Sequence, residues 1–234
     1  MLPRVLHKTR HSIYLSKPSG MFVHPTSEQR NGGETLLTWT RDRVGHYVYP
    51  VHRIDRASSG IVCMGLSSEA AAALQSLLQA PSAKKRYLVL TRGKTPESFE
   101  CDIPLARKKK EEPVPAKTHF RTILTNGDFS LLEALIETGR RHQIRRHLAR
   151  LGHQVIGDST YGKGRINESL RKDFGLPRLF LHAYQLEHSD HSIGISSYQQ
   201  VDPLPADLLV FLRLLFNQSD LLPGGLIESQ EANG

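Results

Sequence analysis

Cysteine is scarce in this sequence, which has only Cys63 and Cys101 among its 234 residues. Two isolated cysteines form neither a disulfide framework nor a zinc ribbon, and their scarcity suits a reducing compartment. Cys63 lies in an apolar run, where it is expected to pack as a small hydrophobic residue. The cysteine content therefore favours a cytoplasmic protein over a secreted one.

Long apolar runs are also missing. No stretch approaches the roughly 18 apolar residues that a membrane-spanning helix requires. The N-terminal residues Met-Leu-Pro-Arg-Val-Leu-His-Lys lack the apolar core of a signal peptide. We therefore expect no membrane partner and a cytoplasmic location.

Acidic residues are outnumbered, with 23 Asp and Glu against 31 Lys and Arg, which gives a net charge of +8 and a pI of about 9.6. This excess favours a polyanionic partner. Nucleic acid is the commonest one, because phosphate neutralisation releases counterions and supplies affinity without sequence preference. A basic protein without such a partner is the alternative interpretation.

Motifs for metals and nucleotides are absent as well. His142 and His147 are five residues apart, which does not match His-Glu-x-x-His. The glycine-rich turn 157–164 lacks the Lys-Ser/Thr ending of a phosphate-binding loop and the context of a dinucleotide fold. We therefore expect neither metal nor cofactor.

Strand and helix signals are mixed with hairpins instead of alternating strictly, which indicates an α+β fold. The expected strands are 12–16, 61–66, 84–90, 118–124, 129–136 and 179–183. Four helices are expected. The first ends near Gly45, the second begins at Ser67, the third lies within 138–148, and the fourth covers 202–216. Without repeats or a long linker, the prediction is one domain over residues 1–222 and a disordered polar tail over 223–234.

The first candidate site is the stretch from His52 to Gly60, which places Asp55 between Arg53 and Arg56. An apolar run of strand length follows it, so Asp55 is predicted to lie in a loop that feeds a buried strand. Functional groups are commonly held in such loops. A turn aspartate paired with a neighbouring arginine is the alternative.

The second candidate site is the stretch 138–148, which is predicted to be a helix packed on one side. Bare amides and arginines at a helix start favour an anion, either a substrate phosphate or the carboxylate of Asp55. Four residues are expected to be exposed in its first turn: Arg140, Arg141, His142 and Gln143.

Four further features have a functional and a structural interpretation. Lys17 and His24 either contact a phosphate or lie at the solvated surface. Tyr87 either stacks on a base or packs in the core or at its edge, and the basic loop 107–110 either follows phosphates or is merely solvated.

Together these motifs resemble the RluA family of pseudouridine synthases. The resemblance covers nearly the whole chain, from Lys17-Pro18-Ser19-Gly20 onward. The motifs that carry it are His52-Arg53-Ile54-Asp55 with Ser58-Ser59-Gly60, Arg86-Tyr87, Gly139-Arg140-Arg141-His142-Gln143-Ile144-Arg145, Gly157-Asp158 with Tyr161-Gly162, and Leu179-Phe180-Leu181-His182-Ala183. It implies a single catalytic domain with a mixed, largely antiparallel sheet and a central cleft.

The resemblance also implies roles for individual residues. Asp55 matches the catalytic aspartate that breaks the N-glycosidic bond, and Arg145 matches the arginine that pairs with its carboxylate. Tyr87 matches the aromatic residue that lies against the flipped base. Arg53 matches the arginine that fills the gap left in the RNA stack. The remaining expected substrate-binding residues are Arg56, Lys17, Arg86, Arg141, His142 and Gln143.

The expected substrate is RNA. Two segments, 51–70 and 174–179, resemble a subgroup that modifies uridine 65 of certain tRNAs, so tRNA is favoured over ribosomal RNA. We expect a monomer without an appended S4-type RNA-binding domain. Two alternatives come from other classes. One is a non-catalytic RNA-binding or assembly protein on the same fold, and the other is a hydrolase using Ser58 or Ser59 with His52, which no Gly-x-Ser-x-Gly elbow supports.

Overall fold

The computed structural model describes residues 1–26, 33–107, 111–190 and 195–217. The tail predicted to be disordered, 223–234, and most of the basic loop 107–110 lie outside these residues. In chain order the elements are β1 (Arg4–Lys8), β2 (Ser12–Lys17), α1 (Leu36–Val44), β3 (Tyr49–Pro50), β4 (Ser59–Gly65), α2 (Ser68–Gln79), β5 (Lys84–Arg92), β6 (Ser98–Cys101), β7 (Thr118–Thr125), β8 (Phe129–Ile136), α3 (Gln143–Arg150), α4 (Gly164–Phe174), β9 (Leu181–Asp190), β10 (Ile195–Val201) and α5 (Ala206–Phe216).

The chain divides into two compact units. The first unit comprises Met1–Lys85 and Gln185–Asp202, and the second comprises Arg86–Tyr184 with the chain from Pro203 onward. The mixed, largely antiparallel sheet and the α+β class are confirmed. The extent of the catalytic domain, 1–222, stays a prediction.

In the first unit, β2 pairs antiparallel with both β1 and β4, and β3 also pairs with β4. β10 pairs antiparallel with β9. The seven residues of β4 are all buried, as the apolar run predicted. Helix α2 begins at the cap Ser67, whose side chain accepts a hydrogen bond from the Ala70 amide. Leu74 and Leu78 of α2 pack in the same core cluster as Ile61 and Cys63.

In the second unit, the strand order is β5-β8-β7-β6. The predicted hairpin is confirmed: β7 pairs with β8, and the turn includes Gly127, whose φ of 94° lies in the left-handed region that glycine tolerates. Helix α5 buries Leu208 and Phe211 in a core cluster with Phe180, which immediately precedes β9. Among the helices of the described residues, none has the length and apolar character needed to cross a membrane.

Candidate active site

The loop that carries Asp55 runs directly into β4. Ile54 is buried beside it, and the Asp55 carbonyl accepts a hydrogen bond from the Ser58 amide at 3.1 Å. Asp55 itself is partly buried. The structure therefore places Asp55 in a tight turn at the start of a fully buried strand, as the sequence predicted.

Lys17 is completely buried beneath this loop, at 0% exposure. Its ammonium group donates to four backbone carbonyls: Pro18 and Ser58 at 2.8 Å, Met21 at 2.9 Å and Arg56 at 3.2 Å. These bonds offset the cost of burying a charge and join the 18–21 turn to the Asp55 loop. The ammonium group of Lys17 therefore holds the backbone around the Asp55 loop, and the predicted contact of Lys17 with a substrate phosphate stays a prediction.

The 18–21 turn holds the Asp55 loop through further bonds. The Gly20 amide donates to the Arg56 carbonyl at 2.7 Å, and Nε of Arg56 donates back to the Gly20 carbonyl at 2.9 Å. The Ser19 hydroxyl donates to the Ala57 carbonyl at 2.7 Å. Gly20 has a φ of 88°, which requires the conformational freedom of glycine. The Lys-Pro-Ser-Gly motif therefore acts as a clamp on the loop that follows Asp55.

The two arginines beside Asp55 are both exposed. The Arg56 guanidinium lies over the Phe22 ring, 4.9 Å from its centroid. Burial lowers the pKa of His24, and the positive charge of Arg53 lowers this pKa further. His24 therefore lies close enough to Arg53 to sense its charge, and this favours the neutral form of the imidazole.

His52 has a structural role. Its Nε2 accepts a hydrogen bond from the Cys63 amide at 3.1 Å. Burial lowers the pKa of His52 to about 4, and the charge of Lys85 acts in the same direction. Because the acceptor nitrogen is already engaged with the β4 backbone, His52 cannot serve Ser58 or Ser59 as a general base in this arrangement. The hydrolase interpretation loses its base.

In the second unit, Arg145 of α3 forms a buried, two-pronged ion pair with Asp158. Its Nε donates to Oδ2 and its Nη2 donates to Oδ1, both at 2.8 Å. The two side chains are 6% and 0% exposed. Bidentate pairs of this kind fix the plane of a guanidinium as well as its position. Asp158 is therefore a carboxylate partner of Arg145 that the sequence reasoning did not identify.

Asp158 is itself held by the turn that follows it. Its Oδ1 accepts bonds from the amides of Thr160 at 2.8 Å and Tyr161 at 3.0 Å. Burial alone would raise the pKa of Asp158, but the bonds from Arg145 and these amides outweigh it and lower the pKa. Asn167 of α4 accepts from the Gly157 amide and donates to the Asp158 carbonyl. The carboxylate is thus kept ionised and fixed in place.

Tyr161 contacts both Arg145 and His142. The Arg145 guanidinium lies 5.3 Å from the centroid of the Tyr161 ring, and the Tyr161 hydroxyl is 3.1 Å from Nδ1 of His142. His142 precedes α3 with a φ of 53°, in the left-handed region. Arg141 beside it is exposed. The predicted anion-binding turn therefore presents Arg141 at the surface, while Tyr161 orients His142.

Gln143 is buried and fastens the start of α3 to the sheet. Its amide nitrogen donates to the Lys117 carbonyl at 2.9 Å and to the Thr118 hydroxyl at 3.0 Å. Its amide oxygen accepts from the Thr138 hydroxyl and the Arg140 amide. The predicted exposure of Gln143 is therefore wrong, because its amide group is engaged with the protein, and its substrate contact stays a prediction.

Tyr87 and Arg86 are neighbours on β5. Tyr87 is partly buried and packs against the core cluster that contains Phe120 and Leu181. Nε of Arg86 lies 3.9 Å from Oε2 of Glu133, a carboxylate that also accepts a hydrogen bond from the Tyr184 hydroxyl. Tyr87 and Arg86 therefore lie at the partly buried beginning of an otherwise buried strand.

The structure distributes the predicted residues over both units. Lys17, Arg53, Asp55 and Arg56 belong to the first unit. The second unit contains Arg86, Tyr87, Arg141, His142, Gln143 and Arg145. In the ranges described, no cluster of three or more His, Cys, Asp or Glu side chains is arranged to hold a metal ion.

Comparisons with known proteins identify the family of this chain. The family model described as RNA pseudouridylate synthase matches residues 11–150, a stretch that includes both the Asp55 loop and α3. The tRNA pseudouridine synthase C of Yersinia pestis is 32% identical over 210 residues, covering 81% of each chain. The protein of the same name from Salmonella typhimurium is 34% identical over 204 residues, covering 78% of each chain.

A solved structure shares the fold. Human RNA Pseudouridylate Synthase Domain Containing 4 superimposes with a TM-score of 0.73 over 91% of this chain and 92% of its own, at 22% identity. The family model and the two curated relatives define an RNA-modifying isomerase. The chain belongs to the RNA pseudouridylate synthase family, of the RluA type.

Proposed function

We propose that this enzyme forms pseudouridine in tRNA, with Asp55 as its catalytic carboxylate. The observation that carries the proposal is the family match over residues 11–150. The matched stretch includes the Asp55 loop and Lys17, which donates a hydrogen bond to the Ser58 carbonyl of that loop. The choice of tRNA rests on the names of the relatives from Yersinia pestis and Salmonella typhimurium. Uridine 65 is the position that the sequence resemblance implies.

The proposed reaction is an isomerisation that conserves all atoms and electrons. The bond between N1 of the uracil and C1′ of the ribose breaks, and the base turns over. A bond then forms between C5 and C1′, C5 loses its proton, and N1 gains one. No oxidant, reductant or hydrolytic water is consumed, so the step requires only groups that stabilise charge and hold the base.

Access to the uridine requires that it leave the RNA stack, which costs a few kcal/mol. We assign Tyr87 to lie against the flipped base and Arg53 to fill the gap that the base leaves. Arg53 is exposed, as this role requires, and Tyr87 is partly buried. Aromatic faces bind bases without demanding a sequence.

Asp55 must be ionised to act as a nucleophile or to stabilise positive charge. An arginine near a carboxylate favours its ionised form, and we assign Arg145 to this task in the reacting enzyme. Support comes from the rigid setting of the Arg145 guanidinium against Asp158. Arg56, Arg86, Arg141 and His142 remain the proposed RNA contacts, whereas Lys17 and Gln143 support the backbone around the site.

The experiment is pseudouridine mapping, by carbodiimide modification and primer extension, on total tRNA and ribosomal RNA from cells with and without this gene. We expect one tRNA site to disappear and to return with the wild-type gene but not with Asp55→Asn. Loss of a ribosomal site instead would contradict the tRNA assignment. If both RNA pools stayed unchanged, and purified protein also failed to modify them, a non-catalytic RNA-binding role would replace the proposal.

A further inference from the structure

Side chains of α3, and that of Arg140 just before it, form hydrogen bonds with backbone carbonyls of residues 103–106 and 115. Within α3, Nη1 of Arg146 donates to the Ala106 carbonyl, and Nη1 of Arg150 donates to the Pro104 carbonyl, each at 3.0 Å. Nε2 of His147 is 3.0 Å from the Ile103 carbonyl. Nε of Arg140 donates to the Pro115 carbonyl, also at 3.0 Å. Three residues of one helix therefore bind three carbonyls within residues 103–106, which we call the brace.

The brace has an extended, proline-containing backbone. Leu105 of the brace exchanges two backbone hydrogen bonds with Val114, at 3.0 and 3.3 Å. These bonds pair the brace with the chain at Val114. Pro104 has no amide hydrogen to offer a sheet. The carbonyls of Ile103, Pro104 and Ala106 accept hydrogen bonds from the side chains of α3.

His147 shows that this contact is built into the core. Its side chain is 0% exposed and lies between the Ile103 carbonyl at Nε2 and the Thr118 hydroxyl at Nδ1, 3.0 Å away. A carbonyl can only accept, so Nε2 carries the proton and Nδ1 accepts from Thr118. Burial lowers the pKa of His147, which favours the neutral ring that this pattern needs. The ring therefore links the brace, α3 and β7.

Helix α3 depends on such external support. It has only eight residues, and its N-cap residue, His142, forms no side-chain cap bond. Helices this short are marginal unless tertiary contacts hold them. Gln143 fixes the N-terminal end, and the brace contacts the C-terminal half. Between these two anchors lies Arg145, whose guanidinium is set against Asp158.

We propose that Arg146, His147 and Arg150 are positioning residues, which use the brace to fix α3 and thereby the guanidinium of Arg145 for catalysis. This inference rests on the proposed function of Arg145. The basic character of α3 would instead suggest phosphate contacts. The geometry favours positioning, because the guanidinium groups of Arg146 and Arg150 each donate a hydrogen bond to a protein carbonyl. A hydrogen bond from a charged donor holds that donor in a defined orientation.

The test compares wild-type protein with Arg146→Leu, Arg150→Leu and the double variant. The matched control is Arg171→Leu, which removes an exposed arginine from α4 without touching the brace. Amide hydrogen exchange on RNA-free protein reports the Leu105 and Val114 amides. Pseudouridine formation gives kcat and KM, and RNA binding is measured over a range of salt concentrations. Circular dichroism confirms that each variant is folded.

Positioning predicts that the double variant exchanges its Leu105 and Val114 amides at least about tenfold faster than the control, because opening becomes easier. It predicts a kcat about tenfold lower with KM and the salt dependence of binding unchanged. A phosphate-binding role predicts the reverse: unchanged exchange and kcat, weaker binding, and a salt slope reduced by about one for each arginine removed.

The outcomes also separate this inference from the proposed function. If the wild-type enzyme forms pseudouridine but the double variant matches Arg171→Leu in exchange and kcat, the positioning role is wrong and the proposed function stands. If the wild-type enzyme forms no pseudouridine in any RNA, the proposed function fails and the catalytic part of this inference fails with it. Faster exchange in the double variant with an unchanged kcat would show a merely structural brace and would contradict the proposal.

Discussion

Arg145 and Asp158 are joined by two hydrogen bonds of 2.8 Å inside the second unit, with both side chains almost fully removed from solvent. The arrangement fixes both the plane and the position of the Arg145 guanidinium. It explains how Asp158, thirteen residues further along the chain, orients this arginine. The pair is the basis of the first prediction.

Asp158→Asn should lower both stability and turnover. Removing one charge from a buried pair leaves the other uncompensated, which costs about 3–5 kcal/mol of unfolding free energy. Urea denaturation measures this loss. The kcat, measured under conditions in which the variant is folded, should also fall. The control is Asp173→Asn, an exposed carboxylate on α4. Equal stability of the two variants would show that the pair contributes nothing.

Lys17→Met should loosen the loop that carries Asp55. Methionine has a similar length but no donors, so the carbonyls of Pro18, Met21, Arg56 and Ser58 lose their shared partner. Each buried carbonyl left unsatisfied costs about 1–3 kcal/mol, so we expect a loss of about 3 kcal/mol or more. Thermal denaturation measures it.

The control for this variant is Lys8→Met, which removes an exposed lysine from β1. A binding role for Lys17 makes a different prediction: intact stability, weaker RNA binding and a smaller salt slope. That result would overturn the positioning role inferred from burial.

His52 should make stability depend on pH. Its pKa in the folded state is lowered to about 4, below the unfolded value of about 6.5. The unfolded chain therefore binds a proton first as the pH falls. The stability that His52 contributes is complete above pH 6.5 and is lost progressively towards pH 4, by up to about 3 kcal/mol.

The measurement compares urea unfolding of wild-type protein and His52→Gln between pH 7.5 and pH 4.5. Glutamine retains an acceptor for the Cys63 amide but does not titrate in this range. The wild-type protein should lose more stability than the variant across this interval. Parallel curves would rule out the neutral, buried state of His52.

Arg145→Lys should impair turnover while RNA affinity is retained. Lysine keeps the charge but loses the planar fork that contacts both oxygens of Asp158. The loss of one charged hydrogen bond, about 1.5–3 kcal/mol, corresponds to a fall in kcat of about tenfold to a hundredfold. Single-turnover kinetics measure it, and wild-type rates would remove Arg145 from the proposed mechanism.

Much of the fold was predictable because its signals are local. The apolar run after Asp55 predicted β4, the serine cap predicted α2, and Asn126-Gly127-Asp128 predicted the β7–β8 turn. Helix α4 was missed because Lys163 provides no side-chain cap and Gly164 is a poor helix former. The strand expected at 179–183 instead begins at Leu181 and continues to Asp190, where it pairs with β10, which was not predicted.

The sequence motifs predict candidate site residues, but the partners of those residues within the protein depend on the fold. Motif order pointed to Asp55 and Arg145, whereas the roles of Lys17 and Gln143 depend on burial. A lysine beside proline and glycine in the sequence has the signature of a solvated turn. Only the folded chain shows that four carbonyls surround the ammonium of Lys17. Tertiary partners of this kind leave no periodic signal in the sequence.

The central claim is that Asp55 is the catalytic carboxylate of a pseudouridine synthase. The most direct measurement is tritium release from purified tRNA labelled at C5 of uridine, with wild-type protein and Asp55→Asn compared at equal RNA binding. We expect release by the wild-type enzyme and only background release by Asp55→Asn. Wild-type release from the asparagine variant would contradict the claim.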